Sequence, residues 1–165
     1  MDFNNLEQIK QEGFLGFKSL EDLIQSTDEI PKVRGIYFII FLNEDKPNFL
    51  EIGADGFFKG KDPNVTIEKL NQKWVNKTKV IYIGKAGGED SKATLKSRLN
   101  QYLKFGQGKN IGHYGGRLIW QIENHKELLI CWKPLPNDSP RSIEYNLIQD
   151  FISNFGKRPF ANLTD

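Results

Sequence analysis

Gly35-Ile-Tyr-Phe-Ile-Ile-Phe-Leu42 and Lys79-Val-Ile-Tyr-Ile-Gly84 decide how this chain folds. Both are dense in β-branched and aromatic residues and bounded by Gly or polar positions, so each reads as a buried strand. Working outward, Arg117 to Ile122 and Leu128 to Trp132 read as two more strands joined in a hairpin, and Phe49 to Ile52 as a short one. Apolar residues at helical spacing recur between them. Leu20, Leu23 and Ile24 mark a short helix with Ser19 as N-cap, Asp22 in the capping-box position and Pro31 as its stop. Ile67, Leu70, Trp74 and Val75 share one face of Val65 to Val75. Leu95, Leu99, Tyr102 and Leu103 do the same within Ser91 to Phe105, which Gly106 ends. Ser139-Pro140 opens a long helix running to Phe155. Gly53 to Pro63, rich in Gly and polar residues, reads as loop. With no repeat and no linker, the pattern predicts a single α+β domain over residues 1–165, a small mostly antiparallel sheet flanked by helices.

A 165-residue chain with 38% hydrophobic and 12% aromatic residues can build one real core, which excludes a disordered chain. The single Cys, Cys131, excludes an internal disulfide, and with only two His it excludes a Cys/His zinc site. Met1 to Phe14 shows no basic segment leading into an apolar run, and Gly35 to Leu42 is too short to span a bilayer. The reading is a soluble, cytoplasmic protein with no membrane partner.

The net charge of +2 names no partner, but its distribution is uneven. Residues 1–31, an acidic helical N-terminal extension, hold two Lys and seven acids, a net of −5, which leaves +7 on the rest. Lys92, Lys96, Arg98, Lys104, Lys109 and Arg117 follow one another with no acid between them. Such a stripe suits a phosphate-binding surface, and a solvated face accounts for it as well.

Several catalytic motifs are missing. Gly84-Lys85-Ala86 lacks the Ser/Thr that closes a phosphate loop, and neither Gly-x-Ser-x-Gly nor His-Glu-x-x-His occurs. Cys131 lies in an apolar strand and reads as core. The residue that stands out is Glu144. At about 100° per residue, Ile143, Leu147, Ile148, Phe151, Ile152 and Phe155 form one apolar stripe, and Glu144 falls near its middle. A carboxylate aimed at a core requires a metal or a buried partner to meet it. A helix-dipole acid explains its place near an N-terminus but not its place in the stripe. Arg98 sits at the border of its own helix stripe, one turn beyond Leu95, where its guanidinium can reach a groove and clamp a phosphate. Tyr37 and Tyr82, each inside a strand, read separately as core aromatics.

Taken in order, Gly35-Ile36-Tyr37, Tyr82-Ile83-Gly84, a helix with Arg98, a helix Glu144 and a late Asn162 resemble the GIY-YIG nuclease family. Both tripeptides occur literally, Lys85 follows as in the common Tyr-Ile-Gly-Lys-Ala form, and the resemblance covers roughly Val33 to Leu163. Two features depart from the minimal pattern. The tripeptides usually share one hairpin, whereas 44 residues part Tyr37 from Tyr82, so 43–79 reads as an insertion. The segment His113-Tyr-Gly-Gly-Arg117 is also extra. Its Gly pair suits a close backbone approach to a ligand, and His113 suits a phosphate contact, though a plain turn explains both.

The resemblance implies a GIY-YIG-like fold and a metal-dependent endonuclease that hydrolyses DNA phosphodiester bonds, restriction-like or structure-selective. A non-catalytic nucleic-acid-binding module on the same fold is the alternative. It implies one Mg²⁺ or Mn²⁺ held by Glu144, a phosphate clamp from Arg98, and Asn162 orienting the metal shell or a phosphate oxygen. Tyr82 or Tyr37 would orient or deprotonate water, with Lys85 or the metal favouring the phenolate. Double-stranded DNA is the expected partner, contacted by Lys92, Lys96, Lys104, Lys109, His113 and Arg117. The two tyrosines are expected on one face of antiparallel neighbouring strands, and both functional helices are expected to cover that face.

Overall fold

The computed structural model describes residues 1–113 and 115–164. In chain order these form α1 (Leu6–Gln11), β1 (Leu15–Ser19), α2 (Leu20–Gln25), β2 (Gly35–Ile40), α3 (Ile67–Lys73), β3 (Val80–Ala86), α4 (Leu95–Gly106), β4 (Leu129–Pro134) and α5 (Pro140–Phe155). The four strands make one antiparallel sheet in the order β1-β4-β2-β3, an α+β fold as the sequence predicts. Strand β2 lies inside the sheet with all six residues buried, which explains its unbroken apolar run.

Alternation along the strands divides the core into two layers. Tyr37, Ile39, Tyr82 and Trp132 face α4, where Leu95, Leu99 and Tyr102 meet them. Ile36, Phe38, Ile40, Ile83 and Cys131 face the other way, against Ile148 and Phe151 of α5 and against Phe3 and Phe14. Strand β3 is an edge, and the C-terminal tail covers it: Ala161 N–H donates to the Ile81 carbonyl at 2.9 Å.

Several elements differ from the sequence reading. Arg117 to Ile122 is no strand; Arg117–Gln121 is a 3-10 helix buried from Leu118 to Gln121, so the expected hairpin does not form. Phe49 to Ile52 contributes a single bridge, Phe49 to Ile122, rather than a strand. Helix α2 stops at Gln25, where Ser26 turns extended, well before Pro31. Helix α4 starts at Leu95 rather than Ser91. Thr94 and Ser97 form a reciprocal capping box, and the Leu95 and Lys96 N–H groups donate to the Val33 and Pro31 carbonyls. Strand β1 went unread in the sequence. It is short, only partly buried, and broken by a register shift at Phe17, whose φ is +54°.

The 43–79 segment is built into the core through Leu70 and Trp74. Gln121, fully buried, ties it down. Its amide donates to the Leu50 and Val65 carbonyls at 3.0 and 2.9 Å and accepts from the Val65 N–H at 3.0 Å. Gln121→Leu should cost about 3 kcal/mol or more, because several buried backbone groups lose their partner at once. A thermal melt should record this as a drop of roughly 10 °C.

Candidate functional site

Across β2 and β3, Tyr37 pairs with Gly84 and Ile39 with Tyr82. The pairing brings both tyrosines to the same face, with ring centroids 5.9 Å apart, as expected. Gly84 makes this possible: a Cβ there would stand 2.5 Å from Tyr37 Cζ and 2.8 Å from Tyr82 Cε1. Gly116, with φ at +71°, also lays its backbone against the Tyr82 ring, where a Cβ would sit 3.0 Å from Cζ. The Gly115-Gly116 pair thus lets the backbone close on an aromatic ring. Tyr114, in the same segment, lies outside the described residues.

Tyr37 is fully buried, and its hydroxyl lies within hydrogen-bonding reach of Tyr82 and Arg98. Burial pushes its pKa up to about 12, against the opposing pull of Arg98. Burial likewise raises Tyr82, with the neighbouring Tyr37 and Glu144 adding to it. Desolvation therefore outweighs the cation nearby, and both phenols are neutral around pH 7. This favours an orienting hydroxyl over a phenolate base. Tyr37 does not line the cleft; it lies beside Tyr82 and within reach of Arg98.

Helix α4 presents Arg98 toward this pair, and its next turn supplies Tyr102. The Tyr102 ring stacks on Tyr82 at 6.2 Å, and its hydroxyl donates to the Gly116 carbonyl at 2.8 Å. Tyr102 went unrecognised as part of the site. The available signal is its spacing of four residues from Arg98 on one helix face.

Helix α5 departs from expectation. It covers the face opposite the tyrosines, where Ile148 and Phe151 share a core layer with Ile83. Glu144 nonetheless lines the same cleft, because β3 is an edge strand and α5 brings its N-terminal turns past that edge. The charged group that meets the mid-stripe carboxylate is Lys85, which alternates to the α5 side of β3. Its Nζ stands 2.7 Å from Glu144 Oε2, with the Glu144 side chain only 13% exposed.

Asn162 spends its amide on β3. Oδ1 accepts from the Ile83 N–H at 2.9 Å, and Nδ2 donates to the Ile83 carbonyl at 2.8 Å. The side chain stands in for a missing strand neighbour and holds the backbone next to Tyr82. Both amide groups are therefore engaged before any ligand arrives.

The result is a cleft of about 380 Å³ lined by Tyr82, Lys85, Arg98, Glu144, Asn162 and the Gly115-Gly116 backbone. Among the described residues no group of three or more Asp, Glu, His or Cys could hold a metal. Glu144 is the one acid lining the cleft among the described residues, so a hard cation there would take one protein ligand, keep most of its water as Mg²⁺ does, and compete with Lys85 for the carboxylate.

The basic stripe disperses in three dimensions. Lys92 is exposed between Ser91 and Ala93, which line the cleft. Lys96 pairs with Asp28 at 3.6 Å. Lys104 and Lys109 are exposed, and neither lines the cleft. His113 is fully buried against Tyr102, with its pKa pushed down to about 3 by burial, so it cannot contact a phosphate from this position. Arg117 is half-buried and acts electrostatically on Asp55, a buried acid whose pKa burial pushes up to about 7. No family model matches the chain, and neither does any curated protein or solved structure.

Proposed function

We propose that this chain is a metal-dependent nuclease of the GIY-YIG type, hydrolysing phosphodiester bonds of double-stranded DNA. The observation that carries the reading is convergence. Three separated elements, β3, α4 and α5, bring Tyr82, Lys85, Arg98 and Glu144 to one cleft, with Tyr37 of β2 beside Tyr82. These residue types match what the reaction demands: a cation to clamp the phosphoryl oxygens, a hydroxyl to orient water, and an anion to hold a metal.

Arg98, steadied by the Tyr37 hydroxyl, donates to the phosphoryl oxygens. Tyr82 offers a neutral hydroxyl to the attacking water, and Tyr37, Tyr102 and Gly116 fix its ring. Glu144 is the residue that would hold Mg²⁺ or Mn²⁺. When bound, such an ion neutralises phosphoryl charge and lowers the pKa of its coordinated water. Lys85 holds Glu144 in the cleft and adds a cation beside the phosphate. Asn162 acts through β3 as a positioning residue.

One observation favours the alternative of a non-cutting DNA-binding module: Lys85 already engages the carboxylate that a metal would need. Nicking of supercoiled plasmid with Mg²⁺ or Mn²⁺, compared with EDTA, separates the two. Metal-dependent nicking supports the nuclease; metal-independent binding without any nicking supports the module.

Gly84→Ala tests the tyrosine pair. The added methyl must displace Tyr37 or Tyr82, so single-turnover cleavage should fall about 100-fold, in line with misplacement by about 1 Å. The overpacking should cost about 1–3 kcal/mol in a denaturant melt.

A further inference from the structure

We propose, building on the nuclease reading, that Lys85 makes metal loading conditional on nucleic acid: its ammonium occupies Glu144 until a phosphodiester enters the cleft and takes it over. Lys85 Nζ stands 2.7 Å from Glu144 Oε2, and among the described residues no other cation forms an ion pair with that carboxylate. Glu144 is also the one acid that lines the cleft, so Lys85 and a divalent cation are alternative partners of a single group. The Asn162 amide, the other oxygen-bearing side chain singled out for the metal shell, is already engaged with the Ile83 backbone.

The charges around the cleft set the order of events. Two cations, Lys85 and Arg98, stand against one anion, Glu144, which leaves the lining with a net charge of +1. A divalent cation entering by itself raises that to +3 and must displace the ammonium without offering it another partner. A phosphodiester entering first cancels the excess charge and is itself a strong acceptor for an ammonium. Lys85 is placed to make the move. It lies on β3 at the sheet edge, carries a long flexible stem, and is 38% exposed along its side chain. Glu144, only 13% exposed, stays in the wall of the cleft. Once Lys85 has turned to the phosphate, the carboxylate is open to a metal. The coupling is reciprocal, because any factor that nucleic acid adds to metal affinity the metal adds to nucleic-acid affinity. The ion pair is then the resting state of the site rather than a sign that metal binding is lost.

The test is Mn²⁺ binding to the full chain by electron paramagnetic resonance, with and without a short DNA duplex, in samples frozen on mixing so that the duplex stays intact. Glu144→Gln supplies the background from DNA and from any other site. Without duplex, Lys85→Met should bind Glu144-dependent Mn²⁺ about tenfold more tightly than the wild type, in the range of ordinary coupling between sites. Lys85→Gln should behave in the same way, and Lys85→Arg, which keeps the charge, should stay near the wild type. With duplex, the wild type should tighten by about tenfold and its gap to Lys85→Met should close. Equal affinities of wild type, Lys85→Met and Lys85→Gln in the free chain overturn the competition. A gap that persists unchanged with duplex overturns the exchange onto phosphate. Absence of Glu144-dependent Mn²⁺ binding in every chain, with and without duplex, overturns the inference together with the metal-holding role. A chain that nicks plasmid in Mg²⁺ while its Lys85 variants bind Mn²⁺ as the wild type does loses the exchange and keeps the nuclease reading. A chain that shows the gap and its closure but never nicks loses the nuclease reading alone.

Discussion

Glu144→Gln is expected to slow Mg²⁺-dependent cleavage by about 1,000-fold while duplex binding stays within a few-fold of wild type. The amide keeps the shape of the carboxylate and removes the charge that would hold the metal, a loss of several kcal/mol at the transition state. Stability should barely move. Lys85 is 38% exposed, so water takes over much of the lost interaction, and the cost stays at or below about 1 kcal/mol. Single-turnover rates and a thermal melt measured on the same preparation check both parts. Near wild-type cleavage in Mg²⁺ would remove the metal-holding role. Raised thermal stability with unchanged cleavage would mark Glu144 as an incidental buried acid.

Arg98→Ala should lower the single-turnover rate by about 100- to 1,000-fold at saturating protein, as losing one preorganised transition-state contact does. Arg98→Lys should recover little of this. A point-charge ammonium cannot serve the Tyr37 hydroxyl and a phosphate together as the planar fork can. Lys109→Ala provides the contrast, because Lys109 is exposed and does not line the cleft. It should weaken binding slightly, flatten the salt slope by at most about one unit, and leave the saturated rate alone. Equal, small losses for Arg98→Ala and Lys109→Ala would make Arg98 one more surface charge.

Much of the architecture is written locally. The apolar runs of β2 and β3 and the stripes of α4 and α5 depend on residue type and period, which need no knowledge of the fold. So does the oddity of Glu144, since a carboxylate within an apolar stripe demands a partner wherever it sits. The 3-10 segment from Arg117 to Gln121 was illegible for the opposite reason. Burial of Leu118 through Gln121 removes the alternation that separates strand from helix, and what fixes Gln121 is its bonding to residues 50 and 65. The cleft itself is a tertiary product. Which face each helix covers, the place of β3 at the sheet edge, the pairing of Glu144 with Lys85, and the engagement of Asn162 with Ile83 all depend on strand order. The sequence by itself determined the residue types that meet at the cleft and most of the elements that carry them. Only the tertiary structure decided that α5 lies behind the sheet and reaches the site around its edge. It also decided that burial outweighs Arg98 in setting the tyrosine hydroxyls, and that the cations from Lys92 to Arg117 scatter. Solvation and charge act through distances in space, and those are set only when the sheet closes.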